Sequence, residues 1–270
     1  MKKTVLFIVS LIVFFTISVG MAWFFYKDRE KKNNLFVEEK MKGLENILNT
    51  TSTKEENFSE GGIADIITKS MPVVEIYKGE KITEIGNDKF IKKIPEEIVM
   101  EYKKKLEEWE AVLKKNPMDV DAWISIGMIK KFFNNYAGAR DAWEYAKYLN
   151  DGNSVVYYNL GNLYGSYLKD YKKAEENFLK AIELEDKNVN YYIGVADFYR
   201  NFYTEKKEKI KIILEEGIKQ VPNDVSILAY AGGYYKEEGN KERALELYKK
   251  ILSLNPENEE VKEEIKKLEG

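Results

Sequence analysis

The sequence predicts an all-α chain: a superhelix of stacked helix-turn-helix repeats, preceded by an N-terminal transmembrane helix and a small segment patterned as β. Three observations carry this expectation. Uncharged residues run without interruption from Thr4 to Tyr26. Between residues 73 and 94 the texture changes to short β-branched runs broken by Gly-containing turns. From about residue 120 onward, small and large residues recur in register at a period near 34, the mark of a repeat architecture.

Composition narrows what such a chain can do. Its 270 residues carry 43 basic and 46 acidic side chains, a net charge of -3. That balance offers no clustered cation excess for nucleic-acid phosphates, so no nucleic-acid partner is expected. With no Cys, the chain has no disulfide, no thiolate metal site and no cysteine nucleophile. With no His, it also lacks the commonest general base near neutral pH and the commonest metal ligand. No catalytic residues, cofactor or metal are expected.

Residues 1–27 read as the anchor. As a helix at about 1.5 Å per residue, Thr4–Tyr26 covers roughly 34 Å, enough for a hydrocarbon core of about 30 Å. Trp23, Phe24, Phe25 and Tyr26 stand at its far end, where an interfacial aromatic belt belongs. Gly20 and Ala22 would suit a signal-peptide cleavage site, but the apolar run continues past them and favours an uncleaved anchor. The flanks disagree on topology. Lys and Arg between Lys27 and Lys32 favour a cytoplasmic C-terminal domain under the positive-inside rule. Met1-Lys2-Lys3 resembles an export-signal n-region and favours an extracytoplasmic one, which is the reading adopted.

Residues 28–62 read as a helical stalk and a linker. Val37, Met41, Leu44 and Leu48 alternate at steps of four and three, the seam of a short coiled coil through which the chain could self-associate. A single helix leaving the membrane is the simpler reading. The polar stretch up to Gly61-Gly62 reads as flexible. Within 63–94, Val73–Tyr77, Lys81–Ile85 and Lys89–Ile94 suggest a small hairpin or meander. An enzymatic reading would have to place its site here. About thirty residues are too few to bury one, and the chain has neither a phosphate loop nor a zinc-binding helix signature.

The repeats are read as four copies, at about 120–153, 154–188, 189–224 and 225–258. Trp123, Gly127, Ala139, Trp143 and Ala146 mark the first. Tyr157, Gly161, Tyr164, Ala174, Phe178 and Ala181 mark the second, and Leu228, Gly232, Tyr235, Ala244, Tyr248 and Pro256 the fourth. The third is degenerate, with Tyr192, Ala196, Tyr199, Ile210, Leu214, Gly217 and Pro222. One extra residue falls near Ser166–Asp170 and two near Asn201–Lys209, at solvated turns. The small residue of each first helix is expected to face a small residue of the second, with large side chains wedged between successive pairs. A helix within 95–119 and a charged one within 259–270 would cap the two ends of the stack.

These residues resemble the signature of the tetratricopeptide repeat (TPR) family, W-x2-L-G-x2-Y…A-x3-F…P. The resemblance implies a superhelix whose first helices line a concave groove that binds protein or peptide. The groove residues it implies are Ile124, Met128 and Phe132 (with Asp121), then Tyr158, Asn159 and Asn162. Asn190, Asp197 and Arg200 follow in the third copy, and Ser226 and Tyr230 (with Gly233) in the fourth. Asn159 and Asn162 lie three apart on one helix face and could bond a peptide backbone with both donor and acceptor. Ile124 and Met128 stand where a carboxylate-gripping first repeat would carry Lys and Asn, so that clamp is absent. They form instead an apolar strip with Phe132, suited to an amphipathic helix, with core packing as the competing role.

The functional expectation is a membrane-tethered scaffold that binds a protein or peptide during assembly of an envelope complex. The layout resembles membrane-anchored bacterial TPR proteins, including cytochrome c maturation factors. The alternative is a structural membrane protein that self-associates without an external client.

Overall fold

The structure, a computed structural model, describes residues 76–86 and 88–270. The expected anchor, stalk and linker, and the middle segment up to residue 75, lie outside them. Among the described residues no helix is long and apolar enough to cross a membrane. The helices belong to one unit, Tyr77–Gly270.

This unit is all-helical. A short α1 (Asp88–Ile91) leads to α2 (Glu96–Lys115). Four antiparallel pairs come next: α3 (Val120–Phe132) with α4 (Tyr136–Leu149), and α5 (Ser154–Leu163) with α6 (Tyr171–Leu184). Then come α7 (Val189–Asn201) with α8 (Lys209–Gln220), and α9 (Val225–Glu237) with α10 (Lys241–Leu254), closed by α11 (Glu259–Glu269).

Most helix starts are dictated locally. Asp119, Asn135, Asn153, Asp170, Asp224, Asn240 and Asn258 each cap a helix by accepting the backbone N–H of the residue three further on. Each such cap satisfies a donor the helix cannot, at about 1 kcal/mol. Pro117, Pro222 and Pro256 interrupt the chain between helices, before the first pair, between the third and fourth, and after the fourth, where no helical N–H is required.

In the first, second and fourth pairs the glycine of the first helix makes room for a ring of the second. A Cβ on Gly127 would lie 2.5 Å from Trp143 Cδ1, one on Gly161 2.7 Å from Phe178 Cδ1, and one on Gly232 2.7 Å from Tyr248 Cε1. Each ring thus packs against the glycine of its own pair, and Phe178 also reaches the next pair, its ring centre 5.3 Å from that of Phe198 on α7. The third pair reverses the roles: Gly217 on the second helix accepts Tyr192 from the first, with Tyr192 Cγ 2.9 Å from where its Cβ would stand. The degenerate copy keeps close helix approach by moving the glycine to the partner helix.

The two length irregularities have defined shapes. The single extra residue of the second copy extends α5 as a π-helical turn, Tyr164–Leu168, ended by Lys169 in the left-handed conformation (φ 57°). The two extra residues of the third copy form a 3-10 turn, Thr204–Lys206.

The third irregularity overturns a sequence expectation. The described residues of 76–94 contain no strand: bends and turns are followed by α1. They do not pair with one another as a sheet. Ile85 is buried, the Tyr77 ring lies tilted against Trp123 at 4.4 Å, and the carbonyls of Lys81 and Glu84 accept from Lys130 Nζ at 2.8 and 2.6 Å. Tyr77 and the carbonyls of this segment find their partners on α3 and α4 instead of on a neighbouring strand, and two or three short strands alone would lack a surface to pack on.

Successive pairs are tied by a recurring polar contact. The residue three after the small one is Tyr164, Tyr199 or Tyr235 in the last three pairs. Each hydroxyl donates to a glutamate on the second helix of the preceding pair: Glu144 at 2.9 Å, Glu175 at 2.7 Å, and Glu215. Cations join the last two. Lys206 and Lys209 each donate to Glu175 at 2.6 Å, and Arg243 grips Glu215 through Nε and Nη2. Burial pulls the Glu175 carboxyl's pKa upward, but the two lysines and the tyrosine outweigh it and hold the value down at about 2. At the far end α11 buries Val261, Ile265 and Leu268 and turns its charged residues outward, as a terminal cap must.

Candidate protein-binding face

The candidate side chains lie on α3, α5, α7 and α9, the first helix of each pair. Many of them are already engaged with one another across pairs.

On α3, Ile124, Met128 and Phe132 are half-buried. The Ile124 carbonyl accepts from Trp143 Nε1 at 3.0 Å, and the Phe132 ring stacks on Tyr102 of α2 at 5.6 Å. The apolar strip is thus divided: Phe132 belongs to the packing of α2, while Ile124 and Met128 keep part of their surface. Asp121 is half-buried at the start of the same helix.

Asn162 on α5 is bridged to the first pair. Its Oδ1 accepts from Lys131 Nζ at 2.7 Å, which leaves the amide NH2 available as a donor. Burial pushes the Lys131 amine below the usual lysine range, and its Nζ also lies 5.3 Å from the Tyr167 ring centre. Lys131 escaped the sequence reading because it adjoins the apolar strip.

Tyr158 reaches the third pair. Its ring stacks on Tyr191 at 4.8 Å and meets Phe178 edge-on at 5.5 Å. Its hydroxyl end fills the space over Gly194, where a Cβ would come within 2.9 Å of Tyr158 Cζ. Burial and the nearby Asp197 carboxylate raise the hydroxyl's pKa. Tyr158 is therefore half packing residue and half surface. Asn159, next to it, is half-buried.

The third and fourth pairs share the densest group. Tyr230 donates its hydroxyl to Asp197. The Arg200 guanidinium lies 5.3 Å from the Tyr230 ring centre and 5.8 Å from that of Tyr234, and it pairs with Glu237 at 3.4 Å. Desolvation and the Asp197 carboxylate drive the Tyr230 hydroxyl's pKa up, so it stays a donor throughout the physiological range. Asn190 and Ser226 stand exposed at the starts of their helices. Gly233 faces open space: a Cβ there would meet nothing within 4 Å. Tyr191, Gly194, Tyr234 and Glu237 could not be assigned from spacing, since each acts through a residue on another helix.

The structure thus brings Tyr158, Asp197, Arg200 and Tyr230 together across three helices and joins Asn162 to the first pair. It leaves Asn190 and Ser226 apart from both groups. Among the described residues no cluster of metal-ligating side chains occurs. Such a surface offers fixed donors, acceptors and ring faces, which suits recognition by contact.

Two stretches, residues 155–188 and 231–258, match the profile of the tetratricopeptide repeat family. They fall on the second and fourth helix pairs. The chain carries tetratricopeptide repeats. No curated protein sequence matches it. Among solved structures it is similar to MamA at 19% identity and TM-score 0.46, over 56% of this chain and 87% of that one. It is similar to YrrB, described as a TPR protein with an unusual peptide-binding site, at 20% identity and TM-score 0.45, over 63% of this chain and 86% of that one. A thermophilic TPR protein of Thermus thermophilus, TTC0263, aligns at 15% identity and TM-score 0.43, over 63% and 92%. In TPR terms, the first pair is the copy with Lys130 where its successors carry tyrosine, and the third is the copy with its glycine transposed.

Proposed function

We propose that the chain is a membrane-tethered TPR scaffold whose first-helix face captures a protein or peptide in the assembly of an envelope complex. The observation that supports this most is the set of side chains on that face held in place by cross-pair contacts. Asp197, Arg200 and Tyr230 are fixed by one another, and Asn162 by Lys131. Groups ordered before binding lose less entropy when a partner arrives, so the same contacts yield more affinity. Gly233 beside them leaves room for a partner's side chain. The tether rests on the uncharged run Thr4–Tyr26.

The test is cross-linking of the full-length protein in its native membranes, followed by affinity capture and mass spectrometry, with Gly233→Arg alongside. That substitution fills open space and touches no packing contact, so folding is expected to be intact. A defined partner recovered with the parent protein and lost with Gly233→Arg is the expected outcome. A partner retained equally by both moves the binding face elsewhere. Recovery of this chain alone from both favours the self-associating structural reading.

A further inference from the structure

The first helix pair differs from the others on its outer side, and the difference is concerted. On the second helix of the first, second and fourth pairs, three positions lie one before, two after and six after the small residue that opens it. In the second pair they are Lys173, Glu176 and Lys180; in the fourth, Arg243, Glu246 and Lys250. In the first pair they are Gly138, Asp141 and Tyr145, and each meets the segment 77–86. Gly138 leaves room for the Glu80 carboxylate and the Lys130 stem. Asp141 Oδ2 accepts the Glu80 backbone N–H at 3.2 Å. Tyr145 and Trp123 flank the Tyr77 ring at 5.4 and 4.4 Å.

Lys130 completes the set. It is fully buried, and its amine donates to the carbonyls of Lys81 and Glu84, with Glu80 Oε2 at 3.9 Å. Its counterparts Tyr164, Tyr199 and Tyr235 reach a glutamate side chain instead. An ammonium with three donors suits main-chain carbonyls that converge from a turn, and burying it is tolerable only while they are there.

We infer that the outer side of the first pair is a second peptide-docking site, separate from the first-helix face, and that residues 77–86 fill it in cis. Its ligand is a turn-forming peptide. It offers an aromatic residue, here Tyr77, to the Trp123–Tyr145 slot and two carbonyls further along, here those of Lys81 and Glu84, to Lys130. A buried apolar residue, here Ile85, closes the motif. Docking fixes the point on the array at which the chain enters it.

The experiment uses the full chain, which has no Cys of its own. Lys130→Met keeps the buried stem and removes the donors. Amide exchange over 80–86 should rise about 10- to 100-fold, as loss of charge-assisted hydrogen bonds predicts, with α7 to α10 unchanged. A second variant adds Glu80→Cys and Gly138→Cys to Lys130→Met. Its oxidised form should regain slow exchange, which separates undocking from a folding defect. A third replaces 77–86 by Gly and Ser, keeps Lys130, and receives the 77–86 peptide in trans, observed by NMR. Binding at millimolar peptide is expected, and its loss with a Tyr77→Ala peptide. Unchanged protection over 80–86 in Lys130→Met overturns the inference. So does loss of protection throughout the array that the disulfide does not restore, and so does equal binding or no binding of the two peptides.

Discussion

Glu175 joins the second and third repeats, and replacing it by Gln tests how that junction is held. Glu175 is 8% exposed, and its carboxylate accepts from Tyr199 at 2.7 Å and from Lys206 and Lys209 at 2.6 Å each. Its pKa falls from an ordinary 4.5 to about 2. At about 1.4 kcal/mol for each tenfold change in proton affinity, this corresponds to roughly 3 kcal/mol at neutral pH. The two lysines are 32% and 37% exposed, so solvent recovers part of what they lose, and about 2 kcal/mol is the expected cost of Glu175→Gln. For a folded unit of this size that is a fall in Tm of about 4–8 °C.

The pH dependence carries the same signature. A carboxylate whose pKa is depressed on folding contributes its full stability above its unfolded value. The contribution is lost as pH falls through the folded value. The parent protein should therefore lose about 2 kcal/mol from this group between pH 5 and pH 2, and Glu175→Gln should lack that component. Urea unfolding followed by circular dichroism at pH 7, 5, 4 and 3 measures both. Tyr199→Phe, which removes one of three donors to the carboxylate, should cost about 1 kcal/mol. A Gln variant within about 0.5 kcal/mol of the parent, or one with an identical pH profile, would refute the assignment of this junction to Glu175.

Three further substitutions test packing and backbone. Gly127→Ala should cost about 1–3 kcal/mol in urea unfolding, because Trp143 is 1% exposed and tied to the Ile124 carbonyl and cannot move aside. Gly233→Ala should gain about 0.5–1 kcal/mol, since its Cβ meets open space and the helix loses a flexible residue; equal effects at the two positions would contradict the packing described. Lys169→Gly should raise stability by about 0.5–1 kcal/mol in thermal unfolding by relieving the left-handed backbone that ends the π-helical turn, and a loss would show that the lysine side chain is needed there.

How far the sequence could be read depended on the range of the interactions. Helix starts were legible because Asp or Asn caps act within three residues, and the pairs because ring and small residue recur at a fixed period. Gly217 could be assigned to the third copy, but not its partnership with Tyr192 on the other helix. The strand-like runs Lys81–Ile85 and Lys89–Ile94 misled for the same reason. Alternation of β-branched residues is compatible with a sheet, yet Lys130 and Asp141, more than 45 residues away in sequence, supply the hydrogen bonds a sheet would have supplied.

The candidate face shows the same division. The resemblance to the repeat signature, with the spacing along each helix, put Tyr158, Asn162, Asp197, Arg200 and Tyr230 on first helices, because a helix face follows from its 3.6-residue turn. That Tyr158 covers Gly194, that Lys131 holds Asn162, and that Tyr230 donates to Asp197 depends on which residues neighbouring pairs bring together. The sequence by itself determined the repeat, its period and the helices that compose it, since these rest on local propensity, capping and close packing within a pair. Only the tertiary structure decided which groups meet between pairs and where residues 77–86 lie, since the angle and register of stacking are set by many contacts at once and are written at no single position.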